Sequence, residues 1–193
     1  DAQNNITSFI EKPAKELLPE WISDTGTAMQ EQGRNYLASM GIYIFNRKTL
    51  FDFLLVDKKE ATDFGKEIIR TYINTHKVIS YQYDGYWTDI GNINSFYEAN
   101  LALTLEIPPF NLFDNAKTVY SRARMLPPVK ISGTTFVSSI LAEGCIIHAK
   151  KIENSVIGIR TRIGKGTVIT STYIMGSDIY ETIPEMAHSL ERG

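Results

Sequence analysis

Cysteine is almost absent from this chain. Its one copy, Cys145, cannot close an internal disulfide, which fits a reducing, cytoplasmic compartment. It lies in an apolar run, Gly144-Cys145-Ile146-Ile147, where a buried, inert thiol is expected instead of a nucleophile. Net charge is nearly absent too: the formal value is -2 over 193 residues, so no global field favours nucleic acid or an anionic membrane. No stretch approaches the ~20 apolar residues of a membrane span. The opening Asp1-Ala2-Gln3-Asn4-Asn5 has neither the basic nor the apolar region of a signal peptide. The histidines, His76, His148 and His188, show no metal-ligand spacing with one another or with Cys145, so no zinc site is expected. A Gly-x-Ser-x-Gly elbow is missing, which excludes the usual route to Ser/His/Asp hydrolysis. What is present, 43% hydrophobic and 22% charged residues, suits one folded domain or two small ones.

The first part of the chain, to about residue 105, alternates strand-like and helix-like patterns. Residues 6–10, 36–45 and 78–83 read as strands, the second mostly buried. Residues 49–56, apolar on nearly all sides, read as a packed helix. Residues 65–73 place Ile68, Ile69, Tyr72 and Ile73 at helical spacing, with Asp63 as the cap. Residues 94–105 carry Phe96, Leu101 and Leu105 on one helical face. Strands alternating with helices predict an α/β layer with some parallel pairing.

The character changes near Pro108-Pro109. A stretch without helical period runs from there to Pro127-Pro128 and reads as a linker. Beyond it, three segments align: Ser139-Ile140-Leu141-Ala142, Ser155-Val156-Ile157-Gly158 and Tyr173-Ile174-Met175-Gly176, at spacings of 16 and 18 residues. Ile157, Ile163 and Ile169 recur at every sixth position. A six-residue step predicts a hexapeptide β-helix whose isoleucines point inward and stack; a small antiparallel sheet of hairpins is the competing reading. The polar end, 181–193, offers no hydrophobic cap, so an open coil edge is expected there as an association site. The expected division is therefore 1–107, a linker at 108–128, and a truncated β-helix at 129–193.

Several polar residues stand out against this frame. In Phe9-Ile10-Glu11-Lys12-Pro13, the proline predicts an extended lysine. Lys12 could present three donors to a phosphate, and Glu11 could accept from hydroxyls; a solvated charged turn is the plainer alternative. Ser39-Met40-Gly41 interrupts an apolar strand, where Gly41 would permit close approach and Ser39 offers a hydroxyl. Asp63-Phe64-Gly65 is first of all a helix cap. Kinase chemistry does not accompany it, because no Gly-rich loop, strand lysine or His-Arg-Asp loop is present. Asp89, in Trp87-Thr88-Asp89-Ile90-Gly91, is a candidate for one carboxylate ligand of a hard cation.

Taken in order, Phe9-Ile10-Glu11-Lys12-Pro13, Ser39-Met40-Gly41-Ile42-Tyr43, Asp63-Phe64-Gly65, Tyr86-Trp87-Thr88-Asp89-Ile90-Gly91, Leu126-Pro127-Pro128 and the repeat region form a series. Ser95-Phe96-Tyr97-Glu98-Ala99-Asn100-Leu101-Ala102-Leu103 and Met175-Gly176-Ser177-Asp178-Ile179-Tyr180-Glu181-Thr182 extend it. The series resembles the sugar-nucleotide pyrophosphorylases, and most of all their ADP-glucose-forming branch. The resemblance implies the C-terminal part of a Rossmann-like nucleotidyltransferase domain followed by the start of a left-handed parallel β-helix. It implies a cytoplasmic, allosteric, homotetrameric enzyme of glycogen synthesis that uses Mg2+ and joins ATP to glucose 1-phosphate. By the same resemblance Glu11 and Lys12 bind glucose 1-phosphate, Lys12 on its phosphate, and Ser39 touches the sugar. Asp63, Phe64 and Trp87 line the sugar pocket, and Asp89 holds magnesium with a second aspartate. Lys12 and Asp89 are then the catalytic candidates.

The family's Gly-rich nucleotide loop, its lysine and the second metal aspartate have no counterpart in these residues. A partial, inactive enzyme carrying the sugar-phosphate side is therefore expected, and the base of the nucleotide is left open. Two other classes stay in view: a noncatalytic β-helix assembly module, and a hexapeptide acyltransferase with His148 as its base.

Overall fold

The computed structural model describes residues 1, 3–57 and 60–191. They form two compact units, 1–85 and 86–193.

The first unit is built from short helices around a small aromatic core. The helix Arg47–Asp52 continues as a π-turn, Phe53–Asp57, and its entry is capped by Asn46, which accepts from the Lys48 N–H. A second π-turn, Phe64–Ile69, runs into Arg70–Tyr72. Phe53, Ile68 and Tyr72 are buried together, with the Phe53 and Tyr72 rings stacked at 3.7 Å. Both helical readings therefore hold. The packed all-round helix at 49–56 does not: Phe51, Leu55 and Val56 are at least half exposed and only Phe53 is buried.

The strand readings in this unit need correction. Among its described residues the β pairing is one antiparallel bridge, Asn5↔Ile79, and not a parallel ladder. Residues 36–45 carry no ladder and are mostly exposed, Ile44 almost fully. In the structure successive side chains still take opposite faces without a sheet: Tyr43 and Phe45 pack on Phe64 while Ile42 and Ile44 face outward. Apolar alternation describes a two-faced segment, but only a bonded neighbour makes it a strand. Lys12 is not extended either; it has φ 46°. Gly41 does not relieve a close approach, since nothing lies near it; it turns the chain at φ 71°.

The second unit opens with 86–92 and the helix Ile93–Leu101, whose N-cap Asn92 accepts from the Ser95 N–H. A 3₁₀ turn, Ala102–Thr104, ends it. The linker is irregular apart from the turn Asn115–Lys117. Then come nine short strands: β1 Lys130–Ile131, β2 Thr135–Val137, β3 Ile140–Leu141, β4 Ile146–Ile147, β5 Lys151–Glu153, β6 Val156–Ile157, β7 Arg162–Ile163, β8 Val168–Thr170 and β9 Tyr173–Ile174. They assemble as three parallel sheets, β1-β4-β7, β2-β5-β8 and β3-β6-β9. That is a parallel β-helix of stacked coils, not a set of hairpins. Ile147, Ile152 and Ile157 are fully buried, with Ile163 nearly so and Ile169 and Ile174 packed against them. Each such isoleucine contributes roughly 1.5–3 kcal/mol by leaving water.

One register differs from the sequence alignment. Successive coils step by 16 residues at Ile147↔Ile163 and by 17 at Ile152↔Ile169. Tyr173 consequently pairs with Val156, not with Ser155. The extra residue lies in the Gly164-Lys165-Gly166-Thr167 turn, where Gly166 takes φ 78°. The polar end forms a helix, Ile183–Glu191, with residues 192 and 193 outside the described part. Before it, Tyr180 donates to the Gly144 carbonyl and Arg162 pairs with Glu181 at 2.6 Å.

Coil stacking makes a sharp prediction. A Cβ at Gly158 would run into the Met175 carbonyl and the Gly176 N of the next coil, whereas a Cβ at Gly164 would meet nothing. Backbone cannot step aside as a side-chain tip can. Gly158→Ala should destabilise by more than ~3 kcal/mol, and Gly164→Ala should stay within ~0.5 kcal/mol. Denaturant midpoints of the two variants check this; equal shifts would contradict the stacking geometry.

Candidate functional site

The first unit brings together residues from three separated segments. Glu11, half-buried, lies against Gly65: a Cβ built there would be 2.6 Å from Glu11 Oε2 and 3.4 Å from Asp63 Oδ1. Phe9 borders the same spot. Lys12 Nζ is 3.9 Å from Glu11 Oε1 and its side chain is 87% exposed. Asp63 caps the following turn through the Lys66 N–H at 2.9 Å. Phe64 stacks on Tyr43 with centroids 5.9 Å apart. The Tyr43 hydroxyl is 3.1 Å from Ser39 Oγ, which also accepts from the Gly41 N–H. Glu11, Lys12, Ser39, Asp63 and Phe64 are thereby linked through Gly65 and Tyr43. Ser39 is exposed on a turn, not buried in a strand.

The entry to the 64–72 helix is held by two carboxylates. Glu67 Oε2 accepts from the backbone N–H groups of Thr62 and Asp63, completing a reciprocal cap with Asp63. The Lys66 N–H holds the Asp63 carboxyl below its ordinary value against the effect of burial, helped by the Gly65 N–H, the Lys66 charge and Glu11. The Thr62 and Asp63 N–H groups do the same for Glu67.

Trp87 and Asp89 belong to the second unit, on the irregular segment just before Asn92. Trp87 is 44% exposed. Asp89 is exposed, with its carboxylate turned back toward Gly91. Tyr43 and Gly65 stand in the quoted motifs without a role of their own, and Asn92 in none of them, yet all three position these residues. The Asn92-x-x-Ser95 cap pattern is the sequence signal for Asn92. Cys145 is fully buried and donates to the Gly158 carbonyl at 3.1 Å. Burial pushes its thiol pKa up, so it is an inert core group.

The family model described as Nucleotidyl transferase matches residues 1–106. The chain belongs to the nucleotidyl transferase family. Residues 124–193 match the GLGC left-handed parallel beta-helix domain. A nucleotidyl transferase domain followed by a GLGC-type β-helix makes the chain a sugar-phosphate nucleotidyltransferase. No helix among the described residues is long and apolar enough to cross a membrane.

Among the described residues no group of three or more His, Cys, Asp or Glu side chains converges. Magnesium commonly takes one or two carboxylates and completes its shell with phosphate oxygens and water. The single exposed carboxylate of Asp89 fits one place in such a shell and cannot form a cage alone.

The cap carries its own pH dependence. Asp63 and Glu67 both have folded-state pKa values below their unfolded ones, so their stabilisation is full above about pH 5. It is lost as pH falls through those lowered values. The Asp63→Asn, Glu67→Gln double variant should lose less stability than the parent between about pH 6 and about pH 3. Denaturant midpoints across that range measure it, and parallel curves would show that the cap does not titrate.

Proposed function

We propose that the chain carries the sugar-phosphate side of a glucose-1-phosphate adenylyltransferase, the enzyme that transfers the adenylyl group of ATP to glucose 1-phosphate, giving ADP-glucose and pyrophosphate. Residues 1–107 carry the sugar-phosphate side, 108–128 form a linker and 129–193 form the β-helix, in a cytoplasmic homo-oligomer serving glycogen synthesis. One observation supports this most: Glu11, Lys12, Ser39, Asp63 and Phe64, far apart in sequence, are linked in the first unit through Gly65 and Tyr43.

The reaction needs little covalent chemistry from protein. A sugar-phosphate oxygen attacks the α-phosphorus and pyrophosphate leaves on the opposite side. Two polyanions must be held in line, so positioning and charge neutralisation dominate. Lys12 is exposed and carries a positively charged amine to the acceptor phosphate. Glu11, Ser39 and Asp63 bond sugar hydroxyls, and the Phe64 ring covers an apolar sugar face; Trp87 is a separate candidate for a sugar contact. Magnesium, when bound, neutralises phosphate charge, and Asp89 is the residue of this chain that would hold it. Lys12 also occupies the left-handed region just before a proline, a conformation costing about 1–3 kcal/mol that is typical of functional positions.

Steady-state kinetics of the complete enzyme test the assignments. Lys12→Ala should raise the glucose 1-phosphate KM by about tenfold or more with kcat little changed, the signature of lost ground-state binding. Asp89→Ala should lower kcat by about a hundredfold. Gly65→Ala should displace the Glu11 carboxylate tip and raise the same KM without unfolding the protein. Small, equal effects from Lys12 and Asp89 would mean that both are surface turns.

A further inference from the structure

The β-helix has one corner built differently from the others. Ser138, Asn154 and Ser171 occupy equivalent positions on successive coils, just past β2, β5 and β8, and all take left-handed backbone angles, φ 42°, 45° and 46°. None is a glycine. The next residue at each corner repeats one hydrogen-bond pattern. Ser139, Ser155 and Thr172 each donate their hydroxyl to the carbonyl two residues back. Ser139 Oγ then accepts the Ser155 N–H, and Ser155 Oγ accepts the Thr172 N–H. The column is pinned from coil to coil by side chains.

This column is also where the helix Ile93–Leu101 docks. Tyr97 donates its hydroxyl to the Ser171 carbonyl at 2.6 Å. Phe96 meets the Tyr173 ring edge-on, with centroids 5.0 Å apart. At the far end of the helix, Thr104 is 8% exposed. Its hydroxyl shares one proton between the Leu101 carbonyl at 2.8 Å and Asn154 Oδ1 at 2.9 Å. Asn154 Nδ2 in turn donates to Ser171 Oγ at 3.1 Å. Asn154 is thus the side chain that ties the buried helix end to the corner column. The opposite end of the same helix is the Asn92 cap, and Trp87 to Gly91 lead directly into it. A helix is stiff over this length, so tilting it at Thr104 swings the segment before Asn92.

We propose that Asn154 is a positioning residue for the Trp87–Asp89 segment, acting through Thr104 and the Ile93–Leu101 helix. Its backbone conformation is one that asparagine tolerates, and its amide converts a fixed corner of the β-helix into a fixed helix. The consequence for the reaction rests on the roles given above to Trp87 and Asp89; the mechanical coupling does not.

Trp87 reports on its own segment. The sequence holds two tryptophans, so a Trp21→Phe background leaves Trp87 as the sole indole. In that background of the full chain, Asn154→Gly keeps the left-handed corner but loses the amide. Thr104→Val removes the same bond from the other side with an isosteric group. Both should raise acrylamide quenching of Trp87 about twofold and lower its fluorescence anisotropy, while the thermal midpoint moves only a few degrees. Asn154→Asp, which keeps an acceptor for Thr104, should restore the parent signal. Unchanged quenching in both variants overturns the proposal, as does a loss that Asn154→Asp fails to rescue. Calorimetric titration with glucose 1-phosphate separates the two layers. Weaker binding in step with the quenching supports the functional consequence. A quenching change with parental affinity retains the positioning role and removes Trp87 from the sugar pocket.

Discussion

A coil of a β-helix can bury its inward face only against another coil. The rest of the second unit depends on that constraint. Stacking Ile147, Ile152 and Ile157 fixes the axial repeat, which brings the Gly158 and Met175-Gly176 backbones so close that no side chain fits between them. The same repeat lines up the left-handed corners at Ser138, Asn154 and Ser171. A column of equivalent corners is a rigid edge, and the Ile93–Leu101 helix takes its orientation from that edge. The segment carrying Trp87 and Asp89 is irregular and exposed, yet it is tethered directly to the N-cap of a docked helix.

The first unit achieves local order by other means. Its core of Phe53, Ile68 and Tyr72 is small, and its candidate site residues lie on turns and helix entries. They are fixed by short-range contacts: a reciprocal cap at 62–67, a serine hydroxyl bonded to Tyr43, and an aromatic wall of Tyr43, Phe45 and Phe64. Gly65 joins two of these pieces, because the absence of a side chain lets the Glu11 carboxylate reach the helix entry.

The parts legible in the sequence were those set by neighbours along the chain. Isoleucine at every sixth position is a property of one coil, and Asp63 caps the turn that follows it, so both could be read directly. The one-residue slip at Tyr173 could not, because a turn containing Gly164 and Gly166 absorbs an insertion without disturbing the apolar pattern on either side. Residues 36–45 have the composition of a buried strand, but a strand is defined by a bonded partner that composition does not supply. The error carried over to Ser39 and Gly41, whose turn has its own local logic: a hydroxyl accepting the N–H two residues on, and a glycine with positive φ. The link from Glu11 to Gly65 and the bond from Thr104 to Asn154 are long-range contacts that no periodicity encodes.

The Glu11–Lys12 pair shows how adjacent side chains can be given opposite exposure. The Glu11 side chain is only 21% exposed and is wedged between Phe9, Asp63 and Gly65. Lys12 is 87% exposed and its ion pair with Glu11 is long, 3.9 Å. An exposed pair of that kind contributes at most about 1 kcal/mol. A phosphate dianion offers the ammonium more charge and more acceptors than the carboxylate does, so Lys12 can exchange partners at small cost. Glu11 fills the space beside Gly65 and so has fewer alternatives than Lys12. The roles proposed for the pair would use that difference: a packed acceptor for directional hydrogen bonds to hydroxyls, and an exposed charge for a phosphate.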